Sequence, residues 1–196
     1  MWNERYGTPD YAYSTEPNDF LAAVATRILP GRVLSIADGE GRNGVFLATL
    51  GYDVTSVDSS TVGLAKAQRL ATARGVKITT IAADLADFEI APDSWEGIVS
   101  IFCHLPPALR RQVHQKVVRG LKPGGLYVLE SYSQQQLGRS TGGPSSVELL
   151  PTLAALRTEL AGLEFLHAVE IERDVHEGVH HNGPSAVVQV IARRPS

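Results

Sequence analysis

The sequence predicts an α/β fold: a doubly wound, mostly parallel seven-stranded sheet that ends in an antiparallel hairpin. Three observations predict it. Apolar strand-like runs alternate with helical patterns between about residues 20 and 130. The runs are continuously apolar rather than alternating, which is the mark of a sheet covered on both faces. The last two strand-like runs follow one another with no helix between them, so they should pair antiparallel.

The elements follow in order. A helix is expected from about Pro17 to Leu29, where Phe20, Val24 and Ile28 recur every four residues and Pro30-Gly31 stops the pattern. Strands are expected over Arg32–Ile36, Asp53–Val57, Val76–Ile81, Gly97–Phe102 and Gly125–Glu130. Helices are expected over Asn43–Leu50, Ser60–Arg74 and Ala108–Arg119, each closed by a glycine. After Glu130 the rhythm changes. Ser131 to Ser146 reads as a long loop and Val147 to Leu160 as a helix, and Phe165–Arg173 and Ser185–Ala192 read as the closing hairpin.

At 196 residues the chain is long enough for one domain with a full three-layer core. We expect a leader over residues 1–19, a cofactor-binding core over 20–130, and a substrate-side loop, helix and hairpin over 131–196. A net charge of −3 gives no reason to expect a nucleic-acid or membrane partner. The densest basic stretch, Arg110, Arg111, Lys116, Arg119 and Lys122, reads as a solvated helix face. Cys103 is the only cysteine, which excludes an intrachain disulfide and a cysteine-rich metal site. No metal is expected, no signal peptide or membrane span is apparent, and a reducing cytoplasm fits.

In such a sheet a ligand sits beyond the carboxyl ends of the strands, where the winding reverses. The loop that borders that crevice is Ala37-Asp38-Gly39-Glu40-Gly41, and its glycines let the backbone turn sharply and approach a ligand closely. Asp58 closes the next strand, where a carboxylate can accept from both hydroxyls of a ribose. Asp84 follows the third strand and is placed to face an adenine amino group, with Leu85 beside it to pack on the ring. Acids in a glycine loop repel a pyrophosphate but suit a sulfonium and an ammonium. The loop therefore favours S-adenosylmethionine over a dinucleotide.

At this point the sequence resembles the class I S-adenosylmethionine-dependent methyltransferases, Rossmann-like proteins. It is most similar to the small branch of tellurite-resistance and thiopurine-type enzymes. Val33-Leu-Ser-Ile-Ala-Asp-Gly-Glu-Gly-Arg-Asn43, Asp58 and Leu121-Lys-Pro-Gly-Gly-Leu-Tyr-Val-Leu-Glu130 carry the resemblance. It implies methyl transfer to a small-molecule acceptor, with a cofactor set of Ala37, Asp38, Gly39, Gly41, Asn43, Asp58, Ser59, Asp84, Leu85 and Phe102. The family loop usually has an acid where this chain has Ser35 and a glycine where it has Ala37. Asp38 is therefore expected to reach the cofactor's ammonium. A non-catalytic cofactor-binding protein and, below it, a nicotinamide-dependent oxidoreductase stand as alternatives.

Methyl transfer needs alignment and exclusion of water, and a base only where the acceptor must lose a proton. His104, after the fourth strand, is the catalytic candidate because imidazole titrates near neutrality. Cys103 beside it reads as apolar filler. Tyr6 and Tyr13, in an aromatic leader with Trp2 and Tyr11, are substrate-side candidates. So are Arg139, in the long loop, and His181, in the His176, His180, His181 segment.

Overall fold

The computed structural model describes residues 2–178 and 181–196. Its seven-stranded sheet runs in the order β3-β2-β1-β4-β5-β7-β6, with β1 at Arg32–Ile36, β2 at Asp53–Asp58, β3 at Thr79–Ala82, β4 at Trp95–Ile101, β5 at Leu121–Tyr132, β6 at Glu164–His176 and β7 at Asn182–Arg193. The first five strands run parallel to one another, and β7 pairs antiparallel with both β5 and β6. The closing hairpin is thus present, and its last strand inserts beside β5 and leaves β6 at the edge.

Adjacent residues on the inner strands feed two cores. Leu34, Ile98 and Leu129 pack on one face; Val33, Val99 and Val128 pack on the other. Helices α1 (Trp2–Arg5), α2 (Asp19–Val24), α3 (Arg42–Thr49), α4 (Thr61–Ala73), α5 (Pro107–Gly120) and α6 (Leu153–Glu159) complete the fold. The caps are local: Ser60 accepts from the Gly63 amide, Thr152 from Ala155, and Asn18 from Leu21.

Two helices differ from expectation. The first is α2 followed by a 3-10 turn at Ala25–Arg27. The Tyr52 hydroxyl lies 2.8 and 2.9 Å from the Ala25 and Ile28 carbonyls and shares its one proton between them, and Ala25 also accepts from the Ile28 amide at 3.1 Å, so these end groups are satisfied without further helix. The expected helix at Val147 to Leu160 is a 3-10 turn at Val147–Leu149 and then α6. Pro151 separates them, since it holds Leu150 extended and lacks an amide proton. The basic face of α5 is also not wholly solvated. Arg110 is buried and forks onto Glu159 at 2.9–3.2 Å, while His114 meets the same carboxylate at 2.8 Å. No described helix is long and apolar enough to cross a membrane.

Candidate active site

A cavity of about 840 Å³ lies at the carboxyl ends of β1, β2 and β4, where the chain winds in opposite directions from β1. The glycine loop forms its floor. Gly39 and Gly41 sit at φ 57° and 86°, the left-handed region. A Cβ at Gly41 would lie 2.4 Å from the Ala67 Cβ, and one at Gly39 would lie 2.6 Å from the Tyr6 hydroxyl. Ala37, where the family prefers glycine, also takes a left-handed φ of 52°, a strain of roughly 1–2 kcal/mol for a residue with a Cβ.

Asp38 lines the cavity and is also held from within the protein. Its carboxylate is held inside the loop, accepting from the Ser35 and Ser56 hydroxyls at 2.7 and 2.6 Å and from the Gly44 amide at 3.2 Å. Burial pushes its pKa up to about 6 against those three donors. Ser35 and Asp38 thus act as a pair, with the serine hydroxyl donating to a carboxylate that braces the loop from within. Glu40 is also committed, for it meets Lys66 Nζ at 2.7 Å and the Ala12 amide at 2.8 Å. Its charge is compensated, so the loop is less acidic than its sequence implies.

Asp58 accepts from the Gly39 amide at 2.9 Å and the Ser60 amide at 2.8 Å, and burial raises its pKa. It lines the cavity together with Ser59, Asp84 and Leu85. Asp84 also accepts from the Ala86 amide at 2.9 Å. Asn43 lines the wall and accepts the Asn18 amide at 3.0 Å, tying α3 to the leader.

The leader lies over this end. Tyr6 is buried, stacks on Trp2 with ring centres 5.7 Å apart, and meets Tyr13 edge-on at 6.3 Å. Asn3 accepts from the Ser60 hydroxyl at 2.7 Å. Across the cavity, Phe102 (φ 51°) packs on Tyr132 at 4.6 Å and on His181 at 4.7 Å, and Tyr13 leans on His181 at 4.6 Å. His104 lies parallel to Tyr132 at 5.7 Å, with Nδ1 3.4 Å from the Ser131 hydroxyl. Burial lowers its pKa to about 4, so the ring is neutral at pH 7. Burial pushes the Cys103 thiol up to about 12, which keeps it protonated.

Arg139 is not on the cavity. It pairs with Glu172 at 2.5 Å and donates to the Gln135 carbonyl at 3.1 Å, because the loop carries it to the outer surface of the hairpin. His176 meets Asn182 at 2.8 Å on the exposed side, and His180 lies outside the described residues. Sequence reasoning missed a buried charged cluster behind the cavity. Arg42 pairs with Glu177, Asn18 donates to Glu130 and Glu177 at 2.5 and 2.7 Å, and Arg173 forks onto Glu130 at 2.6–2.9 Å. The signals for it are Arg42 directly after the glycine loop and Glu130 closing an otherwise apolar strand.

Residues 33–125 match the family described as Methyltransferase domain. A curated relative, the 2-heptyl-1-hydroxyquinolin-4(1H)-one methyltransferase of Mycobacteroides abscessus, is 23% identical over 142 residues, which cover 71% of this chain and 63% of that protein. The chain thus spans less than two thirds of that relative's length. TehB from Haemophilus influenzae superposes with a TM-score of 0.73 at 21% identity, covering 98% of this chain and 65% of that one. A structure concerned with conversion of a disulfide bond into a thioacetal group in echinomycin biosynthesis gives a TM-score of 0.76 at 19% identity, covering 98% and 88%. Over residues 33–125 the chain is thus similar to methyltransferase domains, and its fold is the one these structures share.

Proposed function

We propose that the protein transfers a methyl group from S-adenosylmethionine to a small-molecule acceptor by in-line displacement. The observation that carries this is what the amides of the glycine loop already do. Gly39 donates to Asp58 and Gly44 donates to Asp38. A dinucleotide's pyrophosphate would have to displace two carboxylates from the amides that cradle it in phosphate-binding loops. A ligand with ribose hydroxyls and cationic groups has no such conflict, and the quinolone specificity of the curated relative supports a small acceptor.

Bound there, S-adenosylmethionine supplies a methyl already activated by its sulfonium. Asp58 and Ser59 would hold the ribose, Asp84 and Leu85 the adenine, and Ala37, Gly39, Gly41 and Asn43 the floor. Phe102 would separate donor from acceptor. Asp38 serves this set indirectly, by bracing the loop. Tyr6 and Tyr13 would close the leader over the cavity and keep water out. His104, neutral at pH 7, would accept a hydrogen bond from the acceptor and receive its proton. We read the whole chain as one such domain, with residues 1–19 as its lid, working in the cytoplasm.

Calorimetric titration tests the first half of this reading. S-Adenosylmethionine and S-adenosylhomocysteine should bind, and NAD should not. Binding of NAD alone would overturn the reading. Binding without turnover across a broad acceptor panel would replace it with that of a cofactor-binding protein.

A further inference from the structure

Two charged groups and several rings decide what the acceptor end of the cavity can hold. Every carboxylate among the described residues that line the cavity belongs to the loops after β1, β2 and β3: Asp38, Glu40, Asp58 and Asp84. The acceptor end therefore has no counter-ion for an ammonium. Two arginines line the cavity. Arg42 is spent on Glu177. Arg5 stands at the exposed mouth, donating to the Tyr13 hydroxyl at 2.8 Å and lying 5.4 Å from the Trp2 ring centre. A dehydrated oxyanion would meet no cation deeper in, and an unpaired buried charge is costly.

What the acceptor end does offer is flat apolar surface. Phe102, His181 and Tyr13 form a chain of ring contacts at 4.6–4.7 Å, and Leu105, Leu109 and Leu149 line the same wall. Polar atoms interrupt it, among them His104 Nε2 and the side chains of Ser145 and Ser146. His104 Nε2 is buried with no partner in full hydrogen-bond geometry, and the Leu149 main chain interacts with the ring and favours its charged form. A buried nitrogen of this kind needs a partner, and leaving it without one costs roughly 1–3 kcal/mol.

We infer that the acceptor is an uncharged, planar aromatic molecule carrying a dissociable O–H, N–H or S–H, seated among Phe102, Tyr13 and His181 with that group on His104 Nε2. This rests on the methyl-transfer reading above. In the step, a lone pair of the acceptor heteroatom forms the bond to the methyl carbon. The carbon–sulfur pair stays on the sulfur, giving neutral S-adenosylhomocysteine, and the acceptor's proton passes to Nε2, to be released to solvent with the product.

The test compares 4-hydroxyquinoline, sodium tellurite and putrescine as acceptors for the full chain with S-adenosylmethionine, reading S-adenosylhomocysteine by mass spectrometry. Saturation-transfer NMR separately reads binding of 4-hydroxyquinoline to the protein alone. We expect turnover of the quinoline at a kcat/KM at least tenfold above the other two. His181→Ala should raise the KM for the quinoline about tenfold, the scale of a lost aromatic contact plus its buried area, with the affinity for S-adenosylmethionine unchanged. Preference for tellurite or putrescine, or absence of any turnover of the ring compound by a protein that binds the cofactor, would overturn the inference and spare the cofactor reading. A protein that binds the quinoline by NMR and does not bind S-adenosylmethionine would retain the ring-lined pocket and overturn methyl transfer.

Discussion

The two ends of the cavity are built by different means. The cofactor end is made of backbone. Its shape comes from left-handed φ angles at residues 37, 39 and 41, and its carboxylates at 38 and 58 are held by amides and hydroxyls a few ångströms away. The acceptor end is made of side chains from segments far apart in sequence: Tyr13 from the leader, Phe102 and His104 after β4, Leu149 from a 3-10 turn, and His181 just before β7. Backbone sites tolerate little change because no rotamer can relieve them, whereas a ring site can lose one ring and keep its fold. The two ends should therefore fail differently under substitution: the first in stability and cofactor affinity, the second in turnover.

The largest effect is expected at Gly41. A Cβ there would meet Ala67 Cβ at 2.4 Å and Ala67 Cα at 2.8 Å, so α4 itself would have to move. The φ of 86° adds strain to any side chain. Gly41→Ala should cost about 3 kcal/mol or more, read as a drop in the urea midpoint. His181→Ala at the other end should stay within about 1 kcal/mol of the parent. Equal losses would erase the distinction between the ends.

Asp58→Asn comes next. It exchanges a carboxylate that accepts two amides for a group with one acceptor oxygen. Hydrogen bonds to a charged group are worth about 1.5–3 kcal/mol, so affinity for S-adenosylmethionine should weaken roughly 10- to 100-fold by calorimetry. An unchanged affinity would remove Asp58 from the cofactor set.

His104→Gln should leave that affinity within about twofold and lower kcat by about 100-fold, the lower range for a positioned proton acceptor. The two variants together form a cross. If both change cofactor affinity, or both change kcat alone, the division between the ends is wrong.

The same division explains what was legible in the sequence. The Gly-x-Gly turn after a strand, and the acid ending the next strand, are local patterns. They mark β1, α3, β2 and the loop between β1 and α3. The donors around Asp38 were not legible, because Ser35, Ser56 and Gly44 come from two strands and a helix, and only folding brings Ser56 to it. The same holds for Glu40, whose charge looks free in the sequence and is met by Lys66 one helix later. At the acceptor end, His104 was legible from its place after β4. The partnership of His181 with Phe102 and Tyr13 was not, because it spans residues 13 to 181 and depends on β7 entering beside β5. Arg139, in the same late segments, was pulled outward by Glu172.

The smallest expected effect is a pH dependence with opposite signs at the two ends. The Asp38 carboxyl has its pKa raised to about 6 by burial, against about 3.9 in an unfolded chain. The folded state thus binds the proton more tightly, and this group's contribution to stability falls as pH rises from about 4 to about 6. The His104 ring has its pKa lowered to about 4, also by burial, against about 6.5 unfolded. Here the unfolded state binds the proton more tightly, so its contribution rises between about 4 and 6.5. In the parent protein the two slopes oppose one another. Relative to it, Asp38→Asn should gain stability on going from pH 5 to pH 7.5, since the variant never carries the buried charge. His104→Gln should lose relative stability over the same interval, since the parent gains as its unfolded state gives up the imidazolium proton, a proton the variant has in neither state. Each change is on the order of 1 kcal/mol, a few degrees in melting temperature for a chain of this size. Melting curves of the three proteins at the two pH values measure it. Shifts of the same sign in both variants would mean that the groups titrate as one coupled site rather than at separate ends of the cavity.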